Sequence, residues 1–140
     1  MTNPPTESFA GGPILLDSSA LLALCLDEPG AEVVAGAISS SPMVAMTAAN
    51  IAEFTSRLLR KGWEPRAVEQ FIASLEITVV REEMSLGLLA GELHGRTRHM
   101  GLSTGDALCL AAAAREGWPV LTADRAWATL DLGIPVVLIR

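Results

Sequence analysis

The apolar positions of this chain alternate between short unbroken runs and longer stretches with helical spacing. Ile14-Leu15-Leu16, bounded by Pro13 and Asp17, suits a buried strand. Ser18–Leu26 reads as a helix broken at Glu28-Pro29-Gly30, and Ala31–Ile38 as a second helix. Pro42 precedes a short strand near Met43–Met46, and Thr47 is placed to cap an amphipathic helix over Ala48–Lys61 that stops at Gly62. Pro65 opens a helix reaching about Ser74, and Ile77–Val80 is a β-branched strand. A long helix over roughly Glu82–Arg98 follows, ending near Gly101. Ser103 then caps a helix over Thr104–Glu116 that Gly117 terminates. Val120–Thr122 reads as a strand, Arg125–Leu130 as a short helix and Val136–Ile139 as the last strand. Strands alternating with helices predict an α/β fold: a three-layer α/β/α sandwich around a parallel central sheet of about five strands.

In such folds the ligand site lies outside the carboxyl ends of the strands, and four acids fall there. Asp17 directly follows the first strand, and Asp124 lies two residues beyond Thr122. Asp106 sits in the first turn of the helix after Ser103, and Glu53 in the second turn of the helix after Thr47. Carboxylates gathered at one rim raise one another's pKa and are hard to hold without a cation. An all-oxygen set without His or Cys favours Mg²⁺ or Mn²⁺.

Each acid also has a structural explanation. Asp17 is placed to cap the helix at Ser18, and Asp124 the one at Arg125. Asp106 follows Ser103 by three residues, a capping-box spacing with Asp in place of Glu. Glu53 points away from the apolar face of Ile51, Phe54 and Leu58, where pairing with Arg57 at i+4 is the simplest reading. Asp106 is the most informative, because its helix is apolar all round (Ala107 to Ala114) and is expected to be buried. A carboxylate at the mouth of a buried helix needs compensation, part from the helix N-terminal amides and the rest from a metal.

Composition narrows the class. The chain has 140 residues, half of them hydrophobic and 19% charged, which fits one folded domain over residues 13–140. Its apolar runs are too short to span a bilayer. Met1–Gly12 lacks the basic and apolar regions of a signal peptide, and its Pro4, Pro5, Gly11 and Gly12 predict a loose tail. Cys25 and Cys109 are widely separated within apolar helical patterns, which suggests two buried reduced thiols in a cytoplasmic protein. A net charge of −6 argues against a nucleic-acid partner only if the acids carry no metal.

Four stretches carry a family resemblance: Leu16-Asp17-Ser18-Ser19-Ala20-Leu21-Leu22; Asn50-Ile51-Ala52-Glu53-Phe54; Leu102-Ser103-Thr104-Gly105-Asp106-Ala107-Leu108-Cys109-Leu110-Ala111; and Val120-Leu121-Thr122-Ala123-Asp124-Arg125-Ala126-Trp127. In order and spacing they resemble the PIN-domain ribonucleases, specifically the VapC-type toxins of bacterial toxin–antitoxin pairs, from about Pro13 to the C-terminus. The resemblance implies a Mg²⁺- or Mn²⁺-dependent endoribonuclease that cuts transfer or ribosomal RNA. It places Asp17, Glu53, Asp106 and Asp124 in the family's acidic site, with the Ser19 and Thr122 hydroxyls in support. It further implies a homodimer, held inactive by a cognate antitoxin that inserts a segment into the acidic groove. The Met1–Gly12 extension is longer than such toxins usually carry.

An RNA substrate would need positive charge beside the acids, for which Arg57, Arg96, Arg98 and Arg125 are the candidates, with Arg60 and Lys61. His94 and His99 lie on a helix expected to be exposed and receive no catalytic role. Trp63, Trp118 and Trp127 are expected to pack under loops. Two rival readings stay open on the residues alone: a non-enzymatic interaction module whose acids serve caps and ion pairs, and a metal-dependent phosphohydrolase of small phosphate esters. No P-loop or Gly-rich nucleotide motif is present.

Overall fold

The computed structural model describes residues 12–140. The tail expected over Met1–Gly12 therefore lies, Gly12 apart, outside the described residues. Five strands, β1 (Ile14–Leu16), β2 (Val44–Met46), β3 (Thr78–Val79), β4 (Val120–Thr122) and β5 (Val136–Leu138), form one sheet in the order β3-β2-β1-β4-β5. Every pairing is parallel, with Leu15 level with Ala45 on one side and Val120 on the other. The helices are α1 (Ser18–Leu26), α2 (Ala31–Ser40), α3 (Ala48–Arg60), α4 (Pro65–Ser74), α5 (Met84–Thr97) and α6 (Thr104–Glu116).

Period-two alternation along the strands divides the core into two layers. Ile14, Leu16, Val44, Met46 and Leu121 face α1 to α4, where Leu21, Val34, Phe54, Leu58 and Val68 pack on them. Leu15, Ala45 and Val120 face the other way, onto Leu86 and Leu93 of α5, Cys109 and Leu110 of α6, and Trp127. The expected α/β/α sandwich is the observed fold. Alternation this strict explains why three-residue strands suffice: both faces of each inner strand are covered.

Several boundaries differ from expectation, mostly at edges. The third strand is only Thr78–Val79, both exposed, because it borders the sheet and pairs on one side alone. The long helix spans Met84–Thr97 and tightens into a 3-10 turn over Arg98–Met100; the last short helix is likewise a 3-10 turn over Arg125–Thr129. The all-round burial expected of α6 fails at Ala114, which is exposed, and at Leu108, half-buried. Cys109 is buried, whereas Cys25 is only partly so, and both are free. Trp127 is fully buried; Trp63 and Trp118 are partly covered. Gly30 is needed between α1 and α2: its φ of +97° suits glycine, and a Cβ there would lie 2.9 Å from the Ile139 side chain. Among the described residues no helix is long and apolar enough to cross a membrane.

Candidate functional site

Parallel pairing brings the carboxyl ends of β1, β2 and β4 to one rim, and the polar residues that follow them meet there. Asp17 follows β1 and is 4% exposed. It stands at the N-cap position of α1, yet its side chain caps nothing. Its Oδ2 instead accepts hydrogen bonds from the hydroxyls of Ser19 (2.7 Å) and Thr122 (2.9 Å). Those hydroxyls accept in turn from backbone N–H groups, Ser19 from Ala123 (2.9 Å) and Thr122 from Asp124 (3.0 Å). The turn after β4 is thereby tied to Asp17 through two hydroxyls. The other oxygen, Oδ1, is buried with no protein partner.

Glu53 departs from the surface ion pair that its helical position suggested. It is half-buried, its Oε2 accepts from the Ser18 hydroxyl at 3.2 Å, and its carboxyl group lies over Gly105 at the start of α6. A Cβ on Gly105 would collide with Glu53 Oε1. Arg57 acts on it as a nearby charge, and no Glu53–Arg57 salt bridge is formed among the described residues. The sequence pattern alone does not single out Ser18 and Gly105 as site residues. Gly105 carries a usable signal: a glycine in the first turn of a helix otherwise rich in Ala and Leu points to a packing reason for the missing side chain.

Asp106 and Asp124 do serve caps. Ser103 and Asp106 form a reciprocal capping box, at 3.0 and 3.1 Å. Asp124 Oδ1 accepts from Ala126 N–H at 3.0 Å and is exposed. Each cap occupies one carboxylate oxygen. The half-buried His94, expected to be exposed, fastens the end of α5 to this region, its Nε2 lying 3.0 Å from the Leu102 carbonyl.

Electrostatics identify which acids form the cluster. Burial pushes the Asp17 carboxyl up, against the lowering effect of its two hydroxyl partners, and Asp106 pushes it up further. Glu53 is raised by burial, then by Asp106 and Asp17. The buried Cys109 thiol is pushed well up by burial and then by these same three acids. Asp17, Glu53 and Asp106 therefore share one region above Cys109. Asp124 is not among the charges that act on Asp17, Glu53 and Cys109.

Among the described residues no three His, Cys, Asp or Glu side chains stand as a ready-made metal cage. The donor set nevertheless fits a divalent ion. A buried carboxylate oxygen without a donor, with two further acids close enough for the Asp106 charge to act on both Asp17 and Glu53, calls for positive charge. Of the basic candidates, Arg57 and Arg60 line a surface cleft with Glu53, Ala52 and Ser56. Arg96 and Arg98 are exposed where α5 approaches the start of α6, and Arg125 is exposed in the turn after Asp124.

The chain is 29% identical over 125 residues to a ribonuclease VapC of Mycolicibacterium smegmatis, covering 85% of this chain and 97% of that one. Its fold matches VapC20 of Mycobacterium tuberculosis, a sarcin–ricin-loop-cleaving toxin, with a TM-score of 0.70 at 20% identity, over 87% of this chain and 98% of that one. A toxin–antitoxin complex from Klebsiella pneumoniae gives a TM-score of 0.70 at 18% identity, over 91% and 98% of the two chains. The family model described as PIN domain matches residues 14–132, from the first strand past the turn that carries Asp124. Given that span and the acids it contains, the chain belongs to the PIN-domain family.

Proposed function

We propose that this protein is a divalent-metal-dependent endoribonuclease, the toxin of a VapC-type toxin–antitoxin pair. The observation that carries the reading is Asp17: a buried carboxylate with one oxygen unpartnered, within electrostatic reach of Glu53 and Asp106 at the carboxyl rim of a parallel sheet. In support, the relative in Mycolicibacterium smegmatis is a ribonuclease.

Asp17, Glu53 and Asp106 would hold Mg²⁺, or Mn²⁺ in its place, with Asp124 joining them. Bound there, the ion supplies Lewis-acid stabilisation of the phosphodiester and activation of water. The chain's own residues orient the donors. Ser19 and Thr122 fix the Asp17 carboxylate by its Oδ2, leaving Oδ1 without a protein donor; Ser18 fixes Glu53. Arg57 and Arg60 beside Glu53 are placed to take RNA phosphates, as are Arg96, Arg98 and Arg125 at greater remove. Transfer or ribosomal RNA is the substrate class, the chain acts in the cytoplasm as a homodimer, and a cognate antitoxin covers the acidic groove.

The deciding experiment is cleavage of total cellular RNA with Mg²⁺ by wild type, Asp17→Asn and Asp106→Asn. Discrete products that vanish with EDTA and in both folded variants are expected. Cleavage persisting in the variants would overturn the assigned site, and an inert wild type that binds no divalent ion would overturn the nuclease reading.

A further inference from the structure

Among the described residues Asn50 is a second buried side chain with unsatisfied polar atoms at this end of the sheet, beside Asp17 and the Trp127 Nε1 of the turn after Asp124. It is fully buried, and neither its Oδ1 nor its Nδ2 has a partner. The residue lies in the first turn of α3, where its backbone N–H is bonded to the Thr47 hydroxyl at 3.1 Å. By the register of β1 with β2, Thr47 follows its strand level with Asp17. Glu53, one turn further along α3, reaches Ser18 at the start of α1. Asn50 thus sits at the start of the α1–α3 seam, one turn before Glu53, on the helical face that continues through the buried Phe54 and Leu58.

A helix face that packs Phe54 and Leu58 has no structural use for a carboxamide. Leucine, similar in size and also branched at Cγ, would fill the place without stranding two donors and an acceptor. Buried polar groups of this kind are satisfied by internal water. Asp17 Oδ1, at the end of the adjacent strand, also lacks a donor.

We infer that Asn50 is a positioning residue of the acidic site, its carboxamide holding an internal water against the carboxylate cluster and so setting divalent-ion affinity. This rests on the metal-dependent reading above. Groups that orient a metal site from behind the ligands change affinity or activity about 10–100-fold when lost.

The test is Asn50→Leu, with Asn50→Ala as the smaller variant should Leu fail to fold. Three quantities are measured: the melting temperature without metal, Mn²⁺ affinity by calorimetry, and RNA cleavage. Asn50→Leu should melt no lower than wild type yet lose about 10–100-fold in Mn²⁺ affinity, with cleavage falling alongside. Asn50→Ala, which leaves room for a replacement water, should lose affinity less. Folded variants with wild-type Mn²⁺ affinity and cleavage would overturn the role of Asn50 while leaving the nuclease reading intact. A wild type that binds no Mn²⁺ would remove both, and that result is visible before any variant is made.

Discussion

The Glu53 carboxyl group lies over the α-carbon of Gly105, where a Cβ would stand 3.3 Å from its Cδ and collide with its Oε1. One residue further on, Asp106 closes the capping box that starts α6. The placement of the Glu53 carboxyl over the start of α6 thus depends on a missing side chain, and it sets Glu53 within reach of the Asp106 charge. Substituting Gly105→Ala should raise intrinsic helix stability by up to about 1 kcal/mol. It should also displace Glu53 and reduce RNA cleavage roughly 10-fold or more, the scale at which misplaced donors act. A thermal melt beside a cleavage assay checks both halves. Full activity in a variant of equal stability would show that the Glu53 position is not used.

How much of this was legible in the sequence depends on the range of the interaction involved. Strand and helix order followed from apolar runs and periodicity, because burial imposes those patterns locally, and the caps at Thr47 and Ser103 were readable from residue type. The β3 boundary was not: Ile77 and Val80 look like strand, but an edge strand keeps only what its single neighbour pairs. Glu53 was misjudged by its helical wheel, since its partners Ser18 and Gly105 come from α1 and α6, far away in sequence. Asp17 presents the converse case. Its position suggested a cap, whereas Thr122, 105 residues away, takes its carboxylate.

The raised carboxyls give the protein a definite pH dependence. Asp17 and Glu53 are held above their ordinary values of 3.8 and 4.5, each by burial first. The folded state therefore binds protons more tightly than the unfolded one. Their full contribution is present below the ordinary values and is lost as pH rises through the folded pKa values. Metal-free protein should gain stability from these two groups as pH is lowered from neutrality through their raised folded pKa values, while divalent affinity weakens because protons compete for the same oxygens. Asp17→Asn should be more stable than wild type at pH 7, with a flatter pH profile. Melting curves across that range settle the matter; a variant that is less stable at pH 7 with an unchanged profile would contradict it.

Thr122 links the Asp17 carboxylate to the Asp124 N–H, at 2.9 and 3.0 Å, and is fully buried. Thr122→Val keeps the β-branched shape of the strand but strands that N–H and removes a donor from Oδ2. A loss of about 1–3 kcal/mol in stability is expected. The Asp17 carboxyl should rise further, since the Thr122 hydroxyl is one of the groups lowering it. Denaturant unfolding measures the first effect, and divalent-ion titrations at two pH values the second. Thr122→Ser, which restores the hydroxyl, should recover most of both.

Asp124 separates capping from catalysis. Its Oδ1 caps the turn at Ala126, and the side chain is exposed. Asparagine caps as well as aspartate does, whereas alanine costs about 1 kcal/mol. Asp124→Asn should therefore keep wild-type stability, and Asp124→Ala should lose roughly that amount. If the uncapped oxygen serves the ion, both variants lose cleavage together despite their different stabilities. If Asp124 is a cap and nothing more, Asp124→Asn cleaves as wild type does. Comparing the two variants in one cleavage assay, with unfolding curves for each, distinguishes a fourth acid at the metal from a turn that merely borders it.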